Sequence, residues 1–479
     1  MYRKRDREQM TVEDFVPPFG GKLDANNRWV KMANVMPWDM IEDIYAKTFK
    51  DEKPDGRPPV PARIAFGALY IKEHESFPQI RTAEHISENV YMQYFLGLTE
   101  FNPKPLFEPA MLSQFASRFT KEDMKAINEE LYRRTHPPED DPTDGDSPSD
   151  GGGGNKGTMI LDATAAPADI RYPTDVSLLN ECREGTEKII DDVWDKTDRK
   201  GHKTAYSRKK ARKDYLRIAK QRKPRKSQVK QAIREQLECV EKNLDTLDRI
   251  LATVSVEDYI RHWERLDTIR KIAEQQRWHY ENPGKPVPDR IVSVRQPHVR
   301  PIVRGKARSE VEFGQKLGLS IVDGFTFIEN QSWDNFAEGT TLIASAEHFR
   351  ERHGVYPKAI LADKTYRNRE NISFCKEHGI RLSGPRLGRP KRSEVEADKE
   401  QAYQDSCDRN TVEGRIGIGK RRYGLDLIYA RLEQTGEFEA AMNVLCMNVA
   451  HVIRILLRRI LWRWIMVFLG PITGCEART

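Results

Sequence analysis

Cysteine is scarce in this sequence, and a long uninterrupted apolar run is absent. Only six of the 479 residues are cysteines, and no two form a C-x-x-C pair, which excludes a zinc knuckle or a redox motif of that spacing. Scattered single cysteines are typical of a chain in a reducing cytosol. The N-terminal residues also lack the apolar stretch of a signal peptide, so we expect a cytoplasmic protein.

The most apolar segment, residues 455–469, is interrupted by Arg458, Arg459 and Arg463. It is shorter than the roughly 20 residues that a helix needs to cross a bilayer. We therefore predict a terminal helix and no membrane partner. The hydrophobic content of 38% and the charged content of 32% suit soluble cores and exclude a collagen-like fibre or a small disulfide scaffold. At roughly 150 residues per domain, the length predicts about three domains.

The net charge of +7 is modest, but it is distributed unevenly. Residues 199–234 contain sixteen Lys or Arg and a single acid, Asp214. A block this basic usually binds a polyanion through salt-dependent phosphate contacts, although a solvated helical face would have the same composition. We predict a basic arm that holds DNA. Its expected contacts are Arg208, Lys209, Lys210, Arg212 and Lys213.

Residues 1–135 have the periodicity of a helical N-terminal domain. Residues 79–88 carry apolar side chains at helical spacing, and Thr120 followed by Asp123 predicts a capped helix start. Several short helices with sharp turns favour a helix-turn-helix-like module that binds DNA ends. A small helical bundle explains the pattern equally well.

The rest of the chain divides by composition. Residues 136–157 contain six acids and four consecutive glycines, so we predict an acidic linker that buries no core. Alternating strand and helix patterns then predict an α/β core at residues 158–435, interrupted by a helical insertion at 176–290. Residues 436–479 are predicted to form a C-terminal helical segment.

Heptad spacing within the insertion predicts an antiparallel helical hairpin, with the basic arm on its N-terminal side. The first seam comprises Val229, Ile233, Leu237, Val240, Leu244, Leu247 and Leu251. The second comprises Val256, Tyr259, Trp263, Leu266 and Ala273. For Tyr206, Tyr215 and Trp263, packing in a core is favoured over contact with DNA bases.

Three acids of the α/β core stand out. Asp162 and Asp363 are predicted at strand ends, and Glu413 is predicted on a late helix that runs from about Asn410 to Tyr423. Strand ends meet at one edge of a mixed sheet, where a neighbouring helix can place one more side chain. Three carboxylates there would repel one another unless they bind cations, and Mg²⁺ prefers carboxylate and water oxygens. Two such ions can activate a water and stabilise a leaving oxygen in phosphoryl transfer.

Each acid also has a simpler explanation. Asp162 and Asp363 could bond turn amides, and Glu413 could pair with Arg409 one helical turn away. Asp323 follows another predicted strand and is a rival to Asp363.

Residues 408–425, D-R-N-T-V-E-G-R-I-G-I-G-K-R-R-Y-G-L, resemble the final signature of DDE transposases from bacterial insertion sequences, in the IS-five-like branch. That signature places Arg four residues before Glu and Lys seven after it, which Arg409, Glu413 and Lys420 match. A neighbouring family has a Tyr three residues before the Arg, where this chain has Ser406. Two further blocks resemble those around the first and second aspartates. They are Leu161–Thr164 with Arg171–Asp175, and Ala362–Arg367.

The resemblance implies a ribonuclease H-like mixed-sheet catalytic core that cleaves DNA at transposon ends and joins the 3′-hydroxyl to target DNA. It implies that Asp162, Asp363 and Glu413 are the catalytic residues and hold two Mg²⁺ ions, with Mn²⁺ as a substitute. Arg409 and Lys420 would contact DNA phosphates. The implied partners are double-stranded transposon-end and target DNA and further copies of the chain, on the bacterial nucleoid.

Alternative functions use the same features differently. A nuclease of this fold would need the same three acids but would not join strands. A transposase-derived DNA-binding protein would not need them. A purely structural scaffold would use the heptad seams but would leave the acids and the Glu413 block without a role.

Overall fold

The computed structural model describes residues 10–49, 58–136, 154–197, 202–306, 309–384 and 395–469. Most of the predicted linker at 136–157 therefore lies outside the described residues. Elements are numbered in chain order within these ranges.

Seven helices occupy the N-terminal part. They are α1 (Arg28–Val35), α2 (Trp38–Lys47), α3 (Ala62–Glu75), α4 (Gln79–Glu88), α5 (Val90–Phe95), α6 (Met111–Ala116) and α7 (Lys121–Thr135). The predicted cap of α7 is confirmed: Thr120 accepts a hydrogen bond from the Asp123 amide, and Asp123 accepts one from the Thr120 amide. These two bonds satisfy amides that a helix start leaves unpaired.

A mixed sheet forms the α/β part. Its strands are β1 (Thr158–Pro167), β2 (Arg300–Lys306), β3 (Ser309–Val322), β4 (Phe325–Ser332), β5 (Ala359–Leu361) and β6 (Arg381–Leu382). The strand order is β2-β3-β1-β5-β6, and β4 also pairs with β3. β1 runs antiparallel to β3 and parallel to β5, so it lies at the centre of the sheet.

Four helices lie between β1 and β2 in the chain. They are α8 (Asp175–Trp194), α9 (Arg208–Ala219), α10 (Lys226–Leu251) and α11 (Val256–Glu281). The predicted two-helix hairpin is incomplete, because α8 is a third member of the packing. Leu179 of α8, Val240 of α10 and Ile269 of α11 share one buried cluster.

The first predicted seam forms the inward face of α10, as expected. The second was predicted to be buried from Val256 onward, and its first half is instead exposed. Val256 is 73% exposed and Trp263 is 48% exposed, so neither is a core residue. The buried face of α11 instead begins at Leu266 and continues through Ile269 and Ile272. The heptad pattern therefore located helix α11, but it did not predict where along α11 the packing against α8 and α10 begins.

The remaining helices are α12 (Leu342–His353), α13 (Arg369–Glu377), α14 (Val395–Arg422) and α15 (Glu433–Leu469). The prediction placed the start of α14 near residue 410, fifteen residues too late. The first turns of α14 are rich in charged and polar residues, so apolar periodicity does not reveal them. A bidentate ion pair between Arg381 and Asp405 holds this early part of α14 near β6.

Helix α15 joins the N-terminal helices to the sheet. Asn448 donates to Asn128 of α7 at 2.8 Å and exchanges two hydrogen bonds with the backbone of Thr326 on β4. One hydrophobic cluster runs from the N-terminal helices through α15 to the sheet. Within the described residues, the part of this helix at 433–458 is alone in having the length and composition of a membrane span, but 67% of its most apolar window is buried. That burial is what a core helix requires.

Candidate functional site

The pairing register of β1 with β5 brings Asp162 and Asp363 side by side. Thr158 pairs with Ala359 and Ile160 with Leu361. Asp162 and Asp363 each lie two residues beyond this last pair, at equivalent positions of neighbouring parallel strands. The structure thus brings together two acids separated by the whole helical insertion.

The prediction that Asp162 ends a strand is wrong. β1 continues to Pro167 because β3 pairs with it from Ile160 to Pro167, and Asp162 lies opposite Leu319 within that ladder. What ends near Asp162 is the parallel pairing with β5. Asp363 does lie just after its strand, separated from β5 by Ala362, and precedes a short 3₁₀ turn, Lys364–Tyr366.

Asp162 is partly buried in a negatively charged environment. Burial raises its pKa, and the nearby carboxylates of Glu338 and Asp363 raise it further. The Ala163 amide, which donates to Asp162 Oδ1 at 2.8 Å, and the Arg409 guanidinium act in the opposite direction. A bound cation would relieve the same repulsion.

Helix α14 covers this part of the sheet. Val412 is fully buried against Ile160 and Leu361, the last paired residues of β1 and β5. Arg409 Nη1 lies 3.8 Å from Asp363 Oδ1, so the helix face that carries Arg409 is directed at the acidic edge. Glu413 lies one turn further along that face, and its side chain is exposed. The ion pair recorded for Arg409 is with Asp363 rather than with Glu413.

Lys420 lies two turns beyond Glu413, in the last turn of α14, where it is partly buried. Arg409, Glu413 and Lys420 therefore follow one side of the same helix, as their spacing requires.

Sequence reasoning missed Glu338, and it included Tyr366 only as part of the block around Asp363 without giving it a role. Glu338 lies in a short 3₁₀ turn after β4, where its carboxylate is 3.1 Å from the Lys316 ammonium and accepts a 3.4 Å hydrogen bond from Thr365. Tyr366 is buried beside the acids. Burial raises its pKa, and Glu338, Asp162 and Asp363 add to that effect. Glu338 does not stand out in the sequence, because it belongs to no recognisable spacing.

The three carboxylates are the kind of ligand that a hard divalent cation binds, but they are not arranged closely enough in this structure to hold one. Carboxylates are the ligands that Mg²⁺ prefers, and Asp162 and Asp363 are adjacent. Across the described part of the chain, however, no three Asp, Glu, His or Cys side chains are grouped closely enough to hold a metal ion. Glu413 would have to approach the two aspartates to complete the site.

Asp323 lies away from this edge. It follows β3 four residues beyond Leu319, the partner of Asp162, which corresponds to about 13 Å along the strand. Its carboxylate accepts a hydrogen bond from the Tyr132 hydroxyl at 3.0 Å, and its φ of +50° places it in a tight turn. The geometry therefore gives Asp323 a structural role.

The basic arm forms helix α9. Lys209, Lys210, Arg212 and Lys213 are exposed on it, whereas Arg208 is held by Asp191 of α8 at 2.6 Å. Four of the five predicted DNA contacts are therefore available to a partner, and Arg208 also fastens α9 to α8.

Both arm tyrosines pack within the protein, as predicted. Tyr215 is 7% exposed and accepts a hydrogen bond from Arg171 at 3.0 Å, and the Tyr206 hydroxyl donates to Glu187. Because Arg171 follows β1 closely, the bond to Tyr215 links the basic helix to the strand that carries Asp162.

Comparison with known proteins gives two matches. A family described as "Transposase DDE domain" matches residues 360–450, which include Asp363, Arg409, Glu413 and Lys420. A family described as "Transposase domain (DUF772)" matches residues 18–118, most of the N-terminal helices. No curated protein and no solved structure matches the chain. The IS-five-like branch remains a prediction; the two matches show that these two segments are similar to transposase families, of which the one at residues 360–450 is of the DDE type.

Proposed function

We propose that this chain is a DNA transposase that cleaves the ends of a bacterial insertion sequence and joins the freed 3′-hydroxyl to target DNA. The observation that carries the proposal is the register of β1 and β5, which aligns Asp162 with Asp363 beneath the helix that carries Glu413. A DDE-type family match over the segment with Asp363 and Glu413 supports the same assignment.

In this proposal Asp162, Asp363 and Glu413 would hold two Mg²⁺ ions, for which Mn²⁺ could substitute. When bound, the ions would supply a nucleophile at neutral pH and stabilise the leaving oxygen. The protein orients the strand to be cut: Arg409 and Lys420, on the Glu413 side of α14, would contact backbone phosphates through charge-assisted hydrogen bonds.

Helix α9 would hold the DNA flank. Its exposed Lys and Arg side chains suit sequence-independent phosphate contacts, and the Arg171–Tyr215 bond fixes the helix relative to β1. Recognition of the DNA end is assigned to the N-terminal helices, and assembly of several copies on DNA remains part of the proposal.

The test is cleavage of the element's own end DNA by purified protein with Mg²⁺, comparing wild type with Glu413→Gln. We expect wild type to nick at the end, and Glu413→Gln to bind the same DNA without nicking it. Joining of the freed 3′ end to a second duplex separates a transposase from a nuclease. Binding without cleavage by wild type under varied metal and pH would favour a DNA-binding protein instead. Equal cleavage by both proteins would contradict the role of Glu413.

A further inference from the structure

Arg415 lies on the opposite side of α14 from the proposed catalytic face. Two residues along a helix turn the side chain by about 200°, so Arg415 is directed away from the side that carries Glu413. Arg415 is 7% exposed, and its Nη2 atom is buried without a hydrogen-bond partner. Among the described residues, no carboxylate forms an ion pair with Arg415, and the side chains that act on its pKa are Arg454, which lowers it, and Tyr423, which raises it.

The packing of α14 against α15 identifies its neighbours. A Cβ on Gly424 would lie 3.1 Å from Asn443, and one on Gly419 would lie 2.9 Å from the Met447 sulfur. Gly424 follows the end of α14, and Gly419 lies further back on that helix, whereas Met447 lies further forward on α15 than Asn443. The two helices are therefore antiparallel. Continuing this register by one more turn puts Arg415 near His451 and Arg454, which agrees with the electrostatic coupling among these three residues.

Among the described residues, the charged side chains that act directly on Arg415 and His451 are cationic. Burial lowers the pKa of Arg415 to about 10, and the Arg454 guanidinium lowers it further. Burial also lowers the pKa of His451 to about 4, with Arg415 and Arg454 adding to the effect, so His451 is neutral at pH 7. Arg422 lies seven residues after Arg415, two turns along the same side of α14, and both arginines act with Arg454 on the buried Tyr423 hydroxyl.

Two other buried arginines of the chain have acidic partners. Arg352 lies 2.9 Å from Glu329 and 2.7 Å from Glu129, and Arg183 lies 2.6 Å from Glu187. A buried guanidinium without such a partner is strongly unfavourable. Its planar set of donors matches the oxygens of a phosphate group, and the exposed Arg422 and Arg454 would attract one to the rim.

We propose that Arg415, Arg422 and Arg454 form a phosphate-binding site behind α14, and that a backbone phosphate of the bound DNA occupies it. The DNA part of this inference rests on the proposed function, whereas phosphate binding does not. A phosphate held here would compensate Arg415 and fix α14 from behind, while Glu413 faces the cleavage site on the other side.

The first test is thermal unfolding with and without inorganic phosphate, at constant ionic strength maintained with chloride. We expect phosphate to raise the melting temperature of wild type and to have no such effect on Arg415→Met. We also expect Arg415→Met to melt above wild type without phosphate, because it removes an uncompensated buried charge. Arg352→Met, which breaks a compensated pair, should melt below wild type. Arg454→Met changes an exposed residue and should weaken the phosphate effect without disturbing the fold.

The second test is the salt dependence of DNA binding. Arg415→Met and Arg454→Met should each weaken the affinity for a DNA duplex, by about tenfold for Arg415→Met, since hydrogen bonds to a charged group are lost. Each should also reduce the slope of log affinity against log salt by about one. Arg350→Met, at an exposed arginine paired with Glu347, is the matched control and should leave both quantities unchanged.

The outcomes are separable. Loss of stability in Arg415→Met together with an unchanged phosphate effect would overturn the site altogether. If phosphate no longer raises the melting temperature of Arg415→Met, but Arg415→Met and Arg454→Met both bind DNA with wild-type affinity, the assignment to DNA is overturned and a site for a free anion remains. Neither reading depends on cleavage, so failure of wild type to cut end DNA would count against the proposed function alone.

Discussion

Arg409 Nη1 lies 3.8 Å from Asp363 Oδ1, and this contact joins the helix that carries Glu413 to the strand end that carries the second aspartate. The pair is partly exposed, so its direct contribution to stability is small. Its importance is geometric, because it directs the face of α14 that carries Arg409 at the acidic edge of the sheet.

Replacing either aligned aspartate should abolish cleavage. Asp162→Asn and Asp363→Asn each remove a charge that the proposed metal ions require, and several kcal/mol of transition-state stabilisation correspond to about a thousandfold in rate. The measurement is single-turnover nicking of end DNA, with duplex binding recorded alongside. Asp323→Asn is the matched control, and if it were as inactive as the other two variants the assignment of the second aspartate would be wrong.

The exposed cations of α9 should account for much of the salt dependence of DNA binding. Changing Lys209, Lys210, Arg212 and Lys213 together to Ala should lower the slope of log affinity against log salt by about three to four. Arg208→Ala should change the slope less and the stability more, because Arg208 is bound to Asp191. Titrations of one duplex at several salt concentrations and urea unfolding measure the two effects. Equal slopes for wild type and the quadruple variant would place the DNA elsewhere.

Glu329 should make the fold sensitive to acid. Burial alone would raise its pKa, but hydrogen bonds from His348 and Ser320 and the Arg352 guanidinium lower it to about 2. A carboxyl with a lowered folded pKa stabilises the native state above its unfolded pKa, and this contribution is lost as the pH falls toward the folded value. Glu329→Gln should therefore destabilise the protein at pH 7 by about 3–5 kcal/mol, since Arg352 loses a buried partner.

Urea unfolding of wild type and Glu329→Gln at pH 7, 4 and 3 checks this prediction. The difference between the two proteins should shrink at the lower pH values. Glu347→Gln, in an exposed pair with Arg350, is the control and should show little effect at any pH. A difference that stays constant with pH would mean that the ionised form of Glu329 is not what stabilises the fold.

Gly339 should tolerate no side chain, because the turn that carries Glu338 packs directly on the turn after Asp363. A Cβ on Gly339 would lie 2.6 Å from the Thr365 carbonyl oxygen. Gly339→Ala should therefore destabilise the fold by about 1–3 kcal/mol. Gly414→Ala, on an open face of α14, should instead stabilise it by about 0.5–1 kcal/mol. Urea unfolding of both variants is the measurement, and a stabilised Gly339→Ala would show that the two turns are not in close contact.

Local patterns predicted most helices and strands well, and α4 has the predicted bounds, Gln79–Glu88. They failed where tertiary partners decide the outcome. The length of β1 depends on its pairing with β3, and the exposure of Trp263 depends on where α8 and α10 end. The spacing of apolar residues within one segment predicts neither property. The early turns of α14 were missed because an ion pair rather than an apolar face holds them.

The candidate site divides in the same way. Asp162, Asp363 and Glu413 were found through strand-end acids and a recognisable signature, and their roles remain predictions. Glu338 and Arg415 could not be found from sequence, because each matters through residues distant in the chain. Lys316 and Thr365 hold Glu338, and Arg415 is buried by the packing of α14 against α15 without a carboxylate ion pair among the described residues.

The register that aligns Asp162 with Asp363 also fixes when the site can form during synthesis. β1 emerges from the ribosome early, but both of its sheet neighbours are encoded after the helical insertion. Pairing over so long a loop is slow, because the loop must close before its contacts stabilise it. The basic helix α9 is complete well before that, so a growing chain presents the exposed Lys and Arg side chains of α9 while Asp162 and Asp363 are still far apart.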